Sequence, residues 1–327
     1  MHRLRAYALG LLMLAAAGAL APAARAHDDH DDECRIKEVT SITPASANAG
    51  TYTPPALPTA RPITITVNLR TDGEGTCKGS LAFNSYGPPL LQRVGGGGSM
   101  PYMIQTAAAG GTPLIYTGTD PDNQRLDFTL PARARSVTVV VYVLMQPAPA
   151  APIAAGAYSD GLILQVFNRK AWDHLKLAGS RPFTVAGTVA QVCQLPPPDV
   201  ANVNFTSAIS NGLPNPAIVA TVRFTNVSCT APAHIRLSGQ RLEPSAPLAP
   251  VAAFDNFIHW RASATFGAAA ATLDTRTASQ ATSAAHNVVS GAVAGATITV
   301  DINLLRGQRV LAGSYSNILT VTIDPSL

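Results

Sequence analysis

The amino-acid sequence predicts an all-β protein made of two tandem, immunoglobulin-like antiparallel β-sandwiches. Three observations support this prediction: strand-length apolar or alternating segments, Pro and Gly clusters between them, and a shared order of motifs in both halves. Charged residues make up only 13% of the 327 residues, which is too few to coat the exposed faces of a helical bundle. The hydrophobic fraction of 47% argues against a disordered chain.

The first 26 residues have the pattern of a secretory signal. Arg3 and Arg5 precede an apolar run, which ends in Ala24-Arg25-Ala26 with the small residues of a cleavage site. We therefore expect residues 1–26 to be removed before His27; an N-terminal membrane anchor is the alternative. Removal leaves 20 of the 23 Lys and Arg residues against 19 Asp and Glu. The mature chain is then close to neutral, and nucleic acid is not an expected partner.

Six segments have the alternation or the apolar length of β-strands: residues 63–69, 136–144, 161–167, 217–224, 296–305 and 317–323. Turn-forming clusters separate them, such as the four glycines at 95–98 and the Pro-rich segments at 147–152 and 196–198. Arg169–Leu177 alone predicts a short helix, near the junction of the two halves. Short strands between turn signals favour sandwiches over other folds.

The two halves repeat each other. Residues 155–166 are AGAYSDGLILQV, and residues 312–323 are AGSYSNILTVTI. A strand-like alternation precedes each block, and each half begins with one Cys and has a second Cys after another strand-like segment. The same order of motifs in both halves indicates a repeated folding unit. We expect a first domain over residues 27–179 and a second over residues 180–327.

Four cysteines in an exported chain predict disulfides. Three pairings are possible in principle, and the presence of two Cys in each half favours Cys34–Cys77 and Cys193–Cys229. No CxxC pair occurs, so a zinc site is not expected.

The second half resembles the spore coat protein U family, the pilin module of archaic (Csu-type) chaperone–usher fimbriae. The resemblance covers about Arg181–Leu327 and rests on FTVAGTVAQVC at 183–193, VRFTNVSC at 222–229 and AGSYSNILTVTI at 312–323. The first half resembles the module more distantly, through Cys34, Cys77 and AGAYSDGLILQV. It departs from the pattern by an inserted TDGEG segment before Cys77 and by the lack of an apolar extension before Cys34.

The resemblance implies a partner that completes the fold. Modules of this family are sandwiches that lack their last strand, which a periplasmic chaperone and then an adjacent pilin subunit supply. It further implies export through the periplasm to a cell-surface fimbrium with the help of an outer-membrane usher, and no cofactor. The last strand-like segment of this chain ends near Ile323, so we expect the second domain to lack its final strand. A complete sandwich is the alternative.

The residues before Cys34 bear on the place of such a subunit in a fibre. His27–Glu33 are mostly acidic and cannot fill an apolar groove, so the chain is expected to accept a strand without donating one. Such a subunit belongs at a fibre tip, and two-domain tip subunits of the family are adhesins, which implies surface attachment and biofilm formation. The alternative is a secreted or coat-layer structural protein that does not polymerise. His27 and His30 could join the aspartates around a metal ion, but we expect a solvated tail and no metal site.

Apolar loops of the first half are the candidate adhesive surface, facing an unknown receptor or surface: Tyr86, Leu90, Leu91, Met145 and Ile153. These loops could instead fold back over the core.

The junction between the halves has a separate apolar row. Phe183, Val185 and Val189 alternate with small or polar residues, and this segment either completes the first domain or begins the second. No GxSxG or HExxH motif occurs, and an enzyme is not expected.

Overall fold

The computed structural model describes residues 34–121, 123–147, 152–169, 175–249, 251–283 and 291–326. These residues form β-strands and loops with one 3₁₀ helix, Thr206–Ala208, so the prediction of an all-β fold is confirmed. The expected signal and the acidic residues 27–33 lie outside the described residues. In the described part of the chain, no helix has the length and apolar character that crossing a bilayer requires.

The first half contributes strands β1 to β11 to the described structure. Their bounds are β1 Arg35–Thr43, β2 Ser46–Tyr52, β3 Arg61–Asp72, β4 Cys77–Asn84, β5 Leu90–Arg93, β6 Ser99–Gln105, β7 Ile115–Tyr116, β8 Leu126–Leu130, β9 Ser136–Met145, β10 Gly156–Arg169 and β11 Leu175–Val189.

These strands enclose one apolar core. They hydrogen-bond in the order β1-β3-β9-β6-β5-β10-β11-β2, and β4 joins β10 while carrying β7 and β8. Inward residues alternate with outward ones, as in β3, where Ile65, Val67 and Leu69 are buried. The alternation is what the period of two in the sequence predicts.

The segment at the junction belongs to the first half. β11 pairs antiparallel with β10 along its whole length and parallel with β2, so it has a strand on each side. Phe183, Val185 and Val189 are buried in the core of the first half. The boundary expected at residues 179 and 180 therefore falls inside one continuous strand, and we place it after Val189, where β11 ends.

The helix expected over Arg169–Leu177 is wrong where the structure describes it. Arg169 ends β10 and pairs with Leu175, the first residue of β11; residues 170–174 lie outside the described residues. Pairing between two long strands outweighs the weak local preference for helix.

The second half contributes strands β12 to β25 to the described structure. Their bounds are β12 Cys193–Gln194, β13 Ile209–Ser210, β14 Leu213–Pro214, β15 Val219–Cys229, β16 Ala233–Ser238, β17 Glu243–Pro244, β18 Phe254–Asp255, β19 Trp260–Phe266, β20 Ala269–Asp274, β21 Gln280–Thr282, β22 Val293–Leu304, β23 Arg309–Val310, β24 Tyr315–Ser316 and β25 Thr320–Pro325.

Two sheets of the second half match the strand pairing of the first. One sheet has the order β12-β15-β22-β19-β20, and its first four strands correspond to β1-β3-β9-β6. The other has the order β21-β16-β25, and the antiparallel pair β16–β25 corresponds to β4–β10. The repeated sequence blocks thus form β10 and the β24–β25 segment, which hold the same place in their sheets.

Each half has its own disulfide. Cys34 is bonded to Cys77 and Cys193 to Cys229, with Cα–Cα distances of 4.8 and 4.1 Å, and all four cysteines lie in the described residues. The first bond joins Cys34, just before β1, to Cys77, the first residue of β4; the second joins Cys193, which begins β12, to Cys229, the last residue of β15.

Candidate functional site

The last strand of the second half has a free edge. In the first half, β10 is paired on both sides, by β4 and β5 on one edge and by β11 on the other. Its counterpart β25 pairs with β16 alone among the described residues. The edge of β25 that corresponds to the position of β11 therefore presents unpaired backbone N–H and C=O groups.

A groove of about 670 Å³ with an apolar floor lies beside the residues that lead into β25 and beside its first residues. Its floor is made of inward-facing side chains of the larger sheet, namely Val222, Phe224, Trp260, Val300, Ile302 and Leu304. Leu319, just before β25, and Val321 of β25 line it, and Ile318 stands at its rim with 77% of its surface exposed. The groove is a gap between the two sheets, in the place where a core would be closed by one more strand.

The same three inward positions differ in burial between the two halves. Leu162, Leu164 and Val166 of β10 are at most 2% exposed. Their repeat counterparts in the second half are Leu319, Val321 and Ile323, of which the first two are only partly buried. The difference has a direct cause, because Phe183 of β11 lies opposite Leu162 and no described strand lies opposite Leu319.

The other wall of the groove is the segment at residues 200–205. It follows β12 as β2 follows β1, and its Val203 and Phe205 pack against the core of the second half. In the first half, β2 is the parallel neighbour of β11. In the described structure, no strand pairs with residues 200–205. We call the space between this segment and the free edge of β25 the open slot. Its two flanks correspond to β2 and β10, which flank β11 in the first half.

A tyrosine in each repeat supports this correspondence. The hydroxyl of Tyr158 donates to the carbonyl oxygen of Ala154 at 2.6 Å, and that of Tyr315 donates to the carbonyl oxygen of Leu311 at 2.9 Å. Burial raises the pKa of both phenols. Tyr158 is 1% exposed, whereas Tyr315 is only partly buried and lines the groove.

The residues predicted to form adhesive loops do not form one surface. Tyr86 is 88% exposed, but Leu91 and Met145 lie in the core of the first half, with 0% and 3% exposure. Leu90 is half-buried at the start of β5, and Ile153 packs against the same core. The prediction that Leu91 and Met145 are exposed is wrong, because they occupy inward positions of β5 and β9 rather than loops.

No group of three or more His, Cys, Asp or Glu residues in the described part of the chain could hold a metal ion. The His and Asp residues of the 27–33 segment lie outside the described residues, so that part of the metal question stays a prediction.

Solved structures with a similar fold include three fimbrial subunits. A complex of the chaperone CsuC with the tip adhesion subunit CsuE, from the archaic chaperone-usher Csu pili of Acinetobacter baumannii, has 11% identity, covers 89% of this chain and 99% of the matched chain, and has a TM-score of 0.40. The CupB6 tip adhesin of Pseudomonas aeruginosa has 12% identity, coverages of 82% and 86%, and a TM-score of 0.30. CfaE, the adhesive subunit of CFA/I fimbria of enterotoxigenic Escherichia coli, has 12% identity, coverages of 86% and 93%, and a TM-score of 0.29.

At these identities and TM-scores, the likeness carries no conclusion about function. No family model matches the sequence, and no curated protein matches it. The resemblance to the spore coat protein U family therefore stays a prediction.

Proposed function

We propose that this chain is a subunit of a chaperone–usher fimbria whose second half is completed by a β-strand from a partner, and that it acts as a tip adhesin. The single observation that carries the proposal is the open slot beside β25. The first half fills the equivalent slot with its own β11, between β10 and β2. A strand added to the free edge would pair backbone groups and bury the apolar side chains of the groove together.

The proposed partners follow from the chemistry of the slot. The occupant is an extended segment with apolar side chains at every second position, because only one face of a strand meets the groove. A periplasmic chaperone would supply such a strand first and an adjacent pilin subunit later, with an outer-membrane usher as the site of assembly. Membership of the spore coat protein U family, export to a fimbrium and a role in biofilm formation are parts of this proposal, and no catalytic role is included.

Co-expression of the full chain with a chaperone of the archaic chaperone–usher type tests the proposal. We expect the two proteins to co-purify as a complex. Ile318→Glu is the informative variant, since this side chain lines the groove but is mostly exposed, so its replacement should weaken capture without unfolding the chain. Thr320→Glu is the matched control, because Thr320 is an exposed residue of β25 that does not line the groove.

Two outcomes contradict the proposal. One is a chain that purifies alone as a stable monomer and whose melting temperature no chaperone or alternating apolar peptide changes. The other is a complex in which Ile318→Glu and Thr320→Glu behave alike, since partner binding would then not use the groove. The first outcome favours the alternative of a structural protein that does not polymerise.

A further inference from the structure

The charge of the described chain is concentrated at one end of the first sandwich. Nine Lys and Arg residues and four Asp and Glu residues lie there, whereas the rest of the described chain has ten basic and eight acidic residues. We call this end the basic pole and define it by its basic residues: Arg35, Lys37, Arg70, Lys78, Arg125, Arg133, Arg135, Arg169 and Lys176.

Strand pairing brings these residues to the same end although they are distant in sequence. β1 and β3 meet at the pair Arg35–Asp72, and the β10–β11 hairpin meets at Arg169–Leu175. The backbone N–H of Leu69 donates to the carbonyl oxygen of Arg135, which sets Arg135 beside Arg70. The Cys34–Cys77 bond ties the start of β1 to the start of β4 at this end, so the basic side chains project from a covalently braced framework.

Five of the nine basic side chains are exposed and form no ion pair with any described residue: Arg35, Arg70, Lys78, Arg135 and Lys176. They lie on both sides of the sandwich. Arg70 and Arg135 belong to the β3–β9 side, and Lys78 and Lys176 flank β10 near Asn168 from its two neighbouring strands. Like charges gathered without partners raise the local positive potential, because each adds to the field of the others.

The pole lies at the opposite end of the first sandwich from the second half. The two halves meet near Ala155, whose N–H donates to the carbonyl oxygen of Thr230 at 2.6 Å, and near Val189, where β11 ends. Gly156 pairs with Val189 at this junction end of the β10–β11 hairpin, and Arg169 is at the other end. A fibre attached through the groove of the second half therefore leaves the basic pole free to meet a target.

We propose that the basic pole binds an anionic polysaccharide, one that carries sulfate or carboxylate groups. This inference rests on the proposed adhesive role and deepens it. The contact surface it assigns is the basic pole instead of the apolar loops expected from the sequence. Guanidinium groups of Arg70 and Arg135 can each donate two hydrogen bonds to one sulfate or carboxylate. Lys78 and Lys176 supply point charges on the other side of the sandwich.

One feature of the pole favours a polysaccharide over other polyanions. Four acidic residues are interspersed with the basic ones, namely Glu38, Asp72, Glu74 and Asp127. Carboxylates accept hydrogen bonds from sugar hydroxyls, but they repel a continuous array of phosphates.

Binding of the full chain to dextran sulfate, with uncharged dextran as the matched polymer, tests the proposal. We expect binding to dextran sulfate alone, and we expect its loss as salt is raised toward 1 M, where the screening length falls to about 3 Å. The double variant R70Q/R135Q should weaken binding by about fivefold or more, and K78Q/K176Q should act in the same direction. The control R306Q/R309Q removes the same charge from the second half and should leave the affinity unchanged.

Three results overturn the proposal: equal binding to dextran and dextran sulfate, equal effects of the pole and control variants, or tighter binding to duplex DNA or to vesicles with 30% phosphatidylglycerol than to dextran sulfate. Unchanged melting temperatures of the variants separate lost binding from lost folding. The experiment needs no partner strand, so its failure is distinct from failure of the proposed function. If the chain binds dextran sulfate but captures no chaperone, the basic-pole site is supported and the fimbrial function is contradicted.

Discussion

Tyr158 and Tyr315 make the same hydrogen bond in two environments, which makes them a natural pair for measuring the effect of a closed sandwich. Each hydroxyl donates to the carbonyl oxygen four residues earlier in the chain. Around Tyr158 the core is closed, so the carbonyl of Ala154 has no easy access to water once the hydroxyl is removed. Around Tyr315 the open groove admits water, which can replace the lost donor.

We expect Tyr158→Phe to lower the free energy of unfolding of the first half by about 1–2 kcal/mol and Tyr315→Phe to lower that of the second half by less than about 1 kcal/mol. Calorimetry on the full chain measures both. A Trp172→Phe background leaves Trp260 as the fluorescent reporter of the second half. Equal losses would argue against an open groove beside Tyr315.

Asp274 is the carboxylate with the strongest cationic surroundings in the described second half. Hydrogen bonds from Arg276 are the main cause that lowers its pKa, and Arg261 adds to the effect. Because the folded state lowers this pKa, the stabilisation is complete above the ordinary Asp value of about 3.9 and is lost as the pH falls through the lower folded value.

Asp274→Asn is therefore expected to reduce stability by about 1 kcal/mol at neutral pH, and the difference from the parent chain should shrink below about pH 4. Thermal melts between pH 2 and pH 7 test this. Asp301→Asn, which removes an exposed carboxylate of the same sheet with no ion pair in the described structure, is the control and should cost less at neutral pH. A difference that grows on acidification would contradict the assigned direction.

At the scale of secondary structure, β11 is the element that distinguishes the two halves. Phe183 packs against Phe83 with 5.1 Å between the ring centroids, and Val185 is fully buried. Periodicity in the sequence predicts the strand and its apolar face. It does not decide whether the strand belongs to the first or the second half, because an apolar row fits the core of either sandwich and the pairing partners are distant in sequence.

Phe183→Ala should destabilise the first half by about 3–5 kcal/mol through lost burial and the cavity that remains. Thr184→Ala, at the exposed neighbouring position, should change stability by less than about 0.5 kcal/mol. Two-transition calorimetry assigns each loss to a half. A fall in the melting temperature of the second half alone would contradict the assignment of β11 to the first half.

At the scale of the whole molecule, each half is braced by its own disulfide. The bonded residues are 43 and 36 positions apart, so each cross-link should contribute about 4 kcal/mol by the chain-entropy estimate. The double variant C34S/C77S should lower the transition of the first half and C193S/C229S that of the second, each without moving the other. A non-reducing peptide map checks the pairing, and any bridge between the halves would contradict it.

Sequence reasoning reached the fold class, because alternation and turn residues are local signals. It missed the burial of Leu91 and Met145, since their neighbouring Pro-rich segments suggested loops, whereas both residues sit at the inward positions of strands. It also missed the basic pole. Arg35, Arg70 and Lys176 belong to separate segments of a chain with little net charge, and only the strand pairing gathers them at one end.

Because the link between the halves is short, β11 transmits any pulling force between them. Only residues 190–192 separate the end of β11 from Cys193 at the start of β12. In a chain attached as proposed, with a target held by the first half and a fibre joined to the second, a pull therefore acts along the length of β11. Its hydrogen bonds to β10 and β2 run across that direction, so they are loaded together in shear rather than opened one at a time. A pull under flow would thus load all the strand pairs of β11 at once.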